Sequence, residues 1–260
     1  DALSLHGKVS TTSGDVVNEG VLAFDASTDD GASFALISSL SVDATGSVGF
    51  THEPQVDGIV YRARYLGTAA FAESVSTTTE PVTVRIPVLR TATWTSTWSV
   101  TFFGSGNPRT DPEFMFFCIQ GQFSPTNGNQ KCAFGFDDED IRATLTGATI
   151  VDTELSLSWE HWAVGESGSA VVGTHNTSGA PATFQSLGDV VVGRHAETFE
   201  EGEQKWFSLG TAIGEELRDG GARGFVLGPA PNTEQSFYGY ARGASQTDPP
   251  RLRISYEVFE

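Results

Sequence analysis

Apolar and polar residues alternate in short runs through the first third of the chain, the period-2 pattern of half-buried strands. The runs cover residues 3–9, 20–24, 34–40, 46–50, 58–67, 71–74 and 81–86. Turn chemistry separates several of them: Thr28-Asp29-Asp30-Gly31, Asp43-Ala44-Thr45-Gly46 and Asp57-Gly58. Roughly seven short strands at this spacing predict a Greek-key sandwich. A second run of the same kind, Arg251-Leu252-Arg253-Ile254-Ser255-Tyr256-Glu257-Val258-Phe259, closes the chain. Two such endings predict two β-domains in series, 1–89 and 90–260.

The second segment opens on Arg90-Thr91-Ala92-Thr93-Trp94 and is again mainly β in pattern. Along 147–162, simple alternation puts Leu155, Leu157, Trp159 and His161 on one face. Ser156, Ser158, Glu160 and Trp162 then share the other, polar face. Two short helices interrupt the strands. Asp137-Asp138-Glu139-Asp140 can cap a helix over 141–145, with its acidic residues suited to the helix dipole. Leu209, Ile213 and Leu217 mark a helix over 209–217 that Gly220-Gly221 stops.

A net charge of −18 argues against nucleic acid and against an anionic membrane. Lys8, Lys131 and Lys205 are the only lysines, so no basic patch exists. No apolar run approaches the length of a membrane span, which predicts no membrane insertion. The chain starts at Asp1 without an initiator Met or secretory signal; a processed or cut end is expected there, and compartment is not legible from it.

Cys118 and Cys132 flank the polar turn Ser124-Pro125-Thr126-Asn127-Gly128-Asn129. If the apolar runs on either side form a hairpin, the sulfurs lie on facing strands. A disulfide closing that loop would add about 3 kcal/mol in the chain-entropy model. The alternative is a pair of buried free cysteines.

In the first segment, Asp43-Ala44-Thr45-Gly46-Ser47-Val48-Gly49-Phe50, then Tyr61-Arg62-Ala63-Arg64-Tyr65-Leu66-Gly67, then Phe71-Ala72-Glu73-Ser74 resembles the bacterial Ig-like repeats of surface and phage proteins. In the second, Gly135-Phe136-Asp137, Leu145-Thr146-Gly147-Ala148-Thr149-Ile150, Lys205-Trp206-Phe207-Ser208-Leu209-Gly210-Thr211, Gly224-Phe225-Val226-Leu227-Gly228 and the closing run resemble the disaggregatase-related (DNRLRE) carbohydrate-binding-like modules. Ser158-Trp159-Glu160-His161-Trp162 followed by Ala170-Val171-Val172-Gly173-Thr174-His175-Asn176 looks like the versions in minor tail proteins of actinobacteriophages. The resemblance implies an all-β chain: an Ig-like sandwich, then a jelly-roll-like sandwich with two short helices. It also implies a surface-glycan role. By the same analogy, Asp137, Asp138 and Asp140 could hold a structural Ca²⁺, although no EF-hand spacing supports one.

Catalytic patterns are weak. Gly165-Glu166-Ser167-Gly168-Ser169 fails the nucleophile-elbow pattern at its last position. Glu154 and Glu160 share a face at even spacing, but the serines between them read as a solvated surface rather than a sugar-cleaving pair. His161 and His175 lie symmetrically about the turn at 165–169 and are expected to pack or hydrogen-bond, lacking a third metal ligand.

Binding is better supported, through Trp94, Trp98, Trp159, Trp162, Trp206, Phe237, Tyr238 and Tyr240. Sugar-binding surfaces use flat rings against the apolar faces of pyranoses. Most of these rings are expected in the core; Trp162 and Tyr238 are the best exposed candidates, each out of phase with an apolar neighbour, with a structural role as the alternative for both.

The expected function is a non-enzymatic virion surface protein, a minor tail component of a bacteriophage, adhering to host cell-wall polysaccharide. Its other expected partners are further virion proteins, with a homo-oligomer open because no heptad specifies one. Three rival readings stand beside it: an architectural capsid or tail decoration, a secreted or cell-surface bacterial module, and a hydrolase with a cleft invisible in sequence.

Overall fold

The computed structural model describes residues 2–228 and 235–259; Asp1, 229–234 and Glu260 lie outside them. They divide into two compact units, the first ending at Ile86 and the second running from Pro87 to Phe259. The boundary lies three residues before the expected one, because Pro87–Thr95 is one strand that pairs along its whole length with Arg251–Phe259.

The first unit holds β1 (Leu3–Lys8), β2 (Val21–Ser27), β3 (Ala35–Ser41), β4 (Ser47–His52), β5 (Val60–Tyr65) and β6 (Ser74–Val75). One sheet pairs β1 with β4; the other runs β3-β2-β5-β6, and every pairing is antiparallel. Leu5, Val48 and Phe50 from the small sheet meet Leu22, Phe24, Ile37 and Tyr65 from the large one, giving the sandwich its core. On the opposite side of β2, buried Asp25 receives Arg62 at 3.0 Å and Arg64 at 2.5 Å. The Arg64 hydrogen bond, with help from Arg62, outweighs burial and holds the carboxyl below its ordinary range. The strand expected over 81–86 does not form. β5 already pairs with β2 and β6, and this segment makes the isolated bridge Ile59–Val82 and a bond from the Val84 amide to Asp57.

The second unit holds β7 (Pro87–Thr95), β8 (Trp98–Phe102), β9 (Phe117–Gln120), β10 (Lys131–Gly135), α1 (Asp138–Leu145), β11 (Thr149–Trp162) and β12 (Ser167–His175). It continues with β13 (Val190–Glu200), β14 (Gln204–Ser208), α2 (Thr211–Asp219), β15 (Gly224–Leu227), β16 (Gly239–Arg242) and β17 (Arg251–Phe259). One sheet runs β7-β17-β11-β16-β9, with β14 also on β11; the other runs β13-β12-β15-β10-β8. Count β7, β10, β11, β12, β13, β14, β15 and β17 as strands one to eight. The first sheet then pairs first-eighth-third-sixth and the second pairs second-seventh-fourth-fifth. Those are the two interlocked Greek keys of a jelly roll, with β8, β9 and β16 added at the edges. The all-β expectation holds in both units.

The main core lies between these sheets, where Phe134, Leu155, Leu157, Trp159, Phe225 and Leu252 are all buried. A second cluster of Phe102, Ala133, Leu187 and Val226 covers the outer face of the five-stranded sheet. β10 and β15 are therefore buried on both faces, which explains their unbroken apolar runs. α1 starts three residues before the expected 141, because Asp137 alone is the cap and 138–140 form the first turn: the Asp137 carboxylate accepts the Asp140 amide at 3.1 Å. α2 ends at Gly220, whose φ of +81° is the left-handed cap that glycine adopts without steric cost.

Cys118 and Cys132 are disulfide-bonded, their Cα atoms 4.9 Å apart and both side chains buried. The expected hairpin is absent. β9 belongs to one sheet and β10 to the other, so the bond crosses the sandwich instead of lying within a sheet. The intervening loop touches itself across the strand ends only through the Gly121–Gln130 bridge.

Candidate functional site

The geometry of β11 decides which aromatic residues can meet a ligand. Against β16 its register shifts between Trp159 and His161, a β-bulge that inserts one residue into the alternation. Trp162 is thereby turned onto the same side as Trp159. The two indoles stack with centroids 4.3 Å apart and planes at 18°, and Trp162 Nε1 donates to the Phe199 carbonyl at 3.0 Å. Trp162 is 2% exposed, a core residue and not the open platform expected of it.

Ser156 and Ser158 correct the same expectation, since both are buried; Ser158 Oγ donates to the Asp248 carbonyl at 3.0 Å. Glu154 is paired with Arg253 at 2.6 Å and Glu160 with Arg242 at 2.5 Å, so neither carboxylate is left for acid–base work.

Tyr238 is also more buried than expected, at 6% exposed, but its ring lines a cavity. The cavity of about 290 Å³ is bounded by Arg109, Phe114, Phe123, Asn127, His161, Tyr238 and Tyr240. Arg109 and Phe114 come from the β8–β9 connection, Phe123 and Asn127 from the β9–β10 connection, His161 from the end of β11, and Tyr240 from β16. The rings support one another: Phe123–Tyr238 at 5.2 Å, Phe114–Tyr240 at 6.0 Å and His161–Tyr240 at 5.2 Å between centroids. Phe123 is 53% exposed and stands at the open side.

Arg109 is held on every side. Its Nε and Nη2 reach the two Asp111 oxygens at 2.7 and 3.1 Å, and Nη1 donates to Gln130 Oε1 at 2.6 Å. Its guanidinium lies 4.6 Å from the Phe114 ring centroid. The Arg109 hydrogen bonds hold the Asp111 carboxyl below its usual range, so the pair stays ionic and carries no net charge. Burial raises the Tyr238 phenol, against the pull of Arg109. Burial raises Tyr240 as well, reinforced by Tyr238, Glu201 and Glu160. Both hydroxyls therefore remain protonated donors at neutral pH. His161 meets Glu201 through Nδ1 at 3.2 Å. The lining can thus stack on a ligand and hydrogen-bond it, without presenting an uncompensated charge.

The three aspartates proposed for calcium point to separate partners. Asp137 caps α1, Asp140 accepts the Trp94 indole N–H at 2.6 Å, and Asp138 pairs with Arg142 and Arg223 at 3.2 and 2.9 Å. Among the described residues no cluster of three or more His, Cys, Asp or Glu side chains could hold a metal. Adding EDTA is expected to leave the thermal unfolding midpoint unchanged; a fall reversed by Ca²⁺ would restore the calcium assignment.

The two histidines also separate. β11 and β12 lie in different sheets, so the turn between them closes no hairpin. His161 faces the cavity, while His175 is buried with its ring 5.3 Å from that of Trp98. Sequence reasoning missed Arg109, Phe114, Phe123 and Asn127 as lining residues. One signal was available: Phe114, Phe116, Phe117 and Phe123 crowd a stretch whose only strand, β9, is too short to bury them all.

No protein-family model matches the chain, and no curated protein matches it.

Proposed function

We propose that this chain is a non-enzymatic virion surface protein, a minor tail component of a bacteriophage of actinobacteria, that adheres to host cell-surface glycan through its second unit. The observation that carries the adhesion is the cavity at Arg109, Phe114, Phe123, His161, Tyr238 and Tyr240. Aromatic faces bordered by fixed polar groups are what the alternating C–H patches and hydroxyls of a pyranose require. The order of motifs along both units supports the virion setting. The strong negative charge suits a protein that must stay dissolved beside its own copies.

One observation favours the architectural alternative. Met115 and Phe116 stand exposed next to the cavity-lining Phe114, and apolar groups of that size also suit a neighbouring subunit. Fluorescently labelled full-length protein, tested as monomer and as multimer, separates the two readings on intact actinobacterial cells and purified cell-wall polysaccharide. Saturable binding that weakens about fivefold or more in Phe123→Ala is expected, since a ring–ligand stack is worth about 1 kcal/mol or more. Phe123 is exposed enough for the variant to fold, which circular dichroism checks. No binding by either form would leave the architectural role as the better reading.

A further inference from the structure

We infer that the cavity takes the terminal ring of an uncharged glycan end-on, a single pyranose with a broad apolar patch, such as a 6-deoxy or O-methylated hexose. This rests on the adhesin reading above and narrows it to a ligand class.

Size comes first. At about 290 Å³ the cavity is at the lower limit of small-molecule sites, which run from about 300 to 1,000 Å³. It accommodates one sugar ring among the seven lining residues, with any further ring directed toward the open side. A chain end satisfies that volume, whereas the middle of a polysaccharide needs an open groove.

Charge excludes the acidic sugars. Arg109 is the cation of the lining, and its fork is already closed on both oxygens of Asp111 and on Gln130. A uronate or sugar phosphate would have to break that pair to gain a partner, leaving Asp111 unpaired beside it. It would also approach a chain of net charge −18.

The balance of the lining then selects among neutral sugars. Phe114, Phe123, Tyr238 and Tyr240 supply rings, while the Tyr hydroxyls and Asn127 supply a few hydrogen bonds. A hexose with every hydroxyl free would set one of them against the half-buried Phe114 ring without a partner, at a cost of about 1–3 kcal/mol. Replacing the 6-hydroxyl by hydrogen, or capping a hydroxyl with methyl, removes that cost and adds apolar area.

Isothermal titration and saturation-transfer NMR on the full chain provide the test. The probes are methyl 6-deoxyhexosides of the rhamno, fuco and quinovo series, their 6-hydroxy counterparts of the same configuration, methyl glucuronide and glucose 6-phosphate. Cell binding is measured in parallel. At least one 6-deoxyhexoside should bind about tenfold more tightly than its counterpart, with the charged probes silent and Phe123→Ala weakening the binding about fivefold or more. Preference for a charged or fully hydroxylated probe overturns the ligand class. If cells still bind in a Phe123-dependent way, the adhesin reading survives that result. Phe123-dependent cell binding with no glycoside bound overturns end-on recognition alone. Absence of both kinds of binding overturns this inference together with the reading beneath it.

Discussion

Trp162→Ala is expected to lower the unfolding free energy by roughly 3–5 kcal/mol, the range for emptying a large aromatic side chain from a core. The indole is stacked on Trp159, and its N–H donates to the Phe199 carbonyl, so truncation opens a void and removes a buried hydrogen bond together. The surroundings are shaped for that ring. A Cβ on Gly168 or Gly239 would come within 2.6 Å of Trp162 Cε3, so the bare glycine backbone of two strands packs directly against the ring. Urea unfolding followed by far-UV circular dichroism measures the loss. A cost below about 1 kcal/mol would show the ring to be dispensable and return Trp162 to the list of ligand candidates. Gly239→Ala should destabilise by the opposite route, overpacking, at a cost of about 1–3 kcal/mol.

The bulge in β11 also shows where legibility in the sequence ends. Alternation located the strand itself, because a long run of β-branched and aromatic residues between Gly147 and Gly165 has few other homes. It assigned the wrong face to Trp162, since one inserted residue inverts every side chain beyond it and is set by pairing with β16, far away in sequence. Local signals served well where the physics is local. The Asp137 cap and the Gly220 stop were readable, because a cap acts within a turn of the helix it terminates.

The cysteine pair was legible as a pair but not as a cross-sheet bond, for the loop between them changes sheets and nothing in its composition says so. The cavity was least legible of all. Arg109, Phe123, His161 and Tyr240 converge from four separate segments, and no spacing rule joins them. Tyr238 was identified for a reason the structure does not support, its phase relative to Phe237. It lines the site because the chain passes from a short 3₁₀ turn into β16 at that position.

Acid should destabilise the protein before its carboxylates begin to protonate, and His175 is the group responsible. Its Nε2 lies 3.1 Å from the Phe134 carbonyl and its Nδ1 accepts the Thr177 amide at 3.2 Å, the pattern of a neutral ring with the proton on Nε2. Charging the ring puts a proton on Nδ1, removes the bond from Thr177 and leaves a cation in the core. Burial accordingly pushes the pKa down to about 4, against a smaller upward pull from the Phe134 carbonyl. The sign follows directly. Between pH 6.5 and 4 the unfolded chain binds a proton that the folded chain refuses, so stability falls as pH is lowered through that window. A displacement from the ordinary value of 6.5 to about 4 is worth roughly 3–4 kcal/mol once the window has been crossed.

The paired carboxylates act in a different window. Asp25 and Asp111 have lowered pKa values, so their contributions are lost only as pH falls below the ordinary carboxylate range. His175→Gln removes the titration and keeps a polar side chain at the site. The variant can be less stable at pH 7.5, yet its stability should change far less than the wild type's between pH 7.5 and 4.5. Urea unfolding at half-unit pH intervals measures both slopes. Equal slopes would assign the acid sensitivity elsewhere and show that the His175 ring accepts its proton without leaving the folded state.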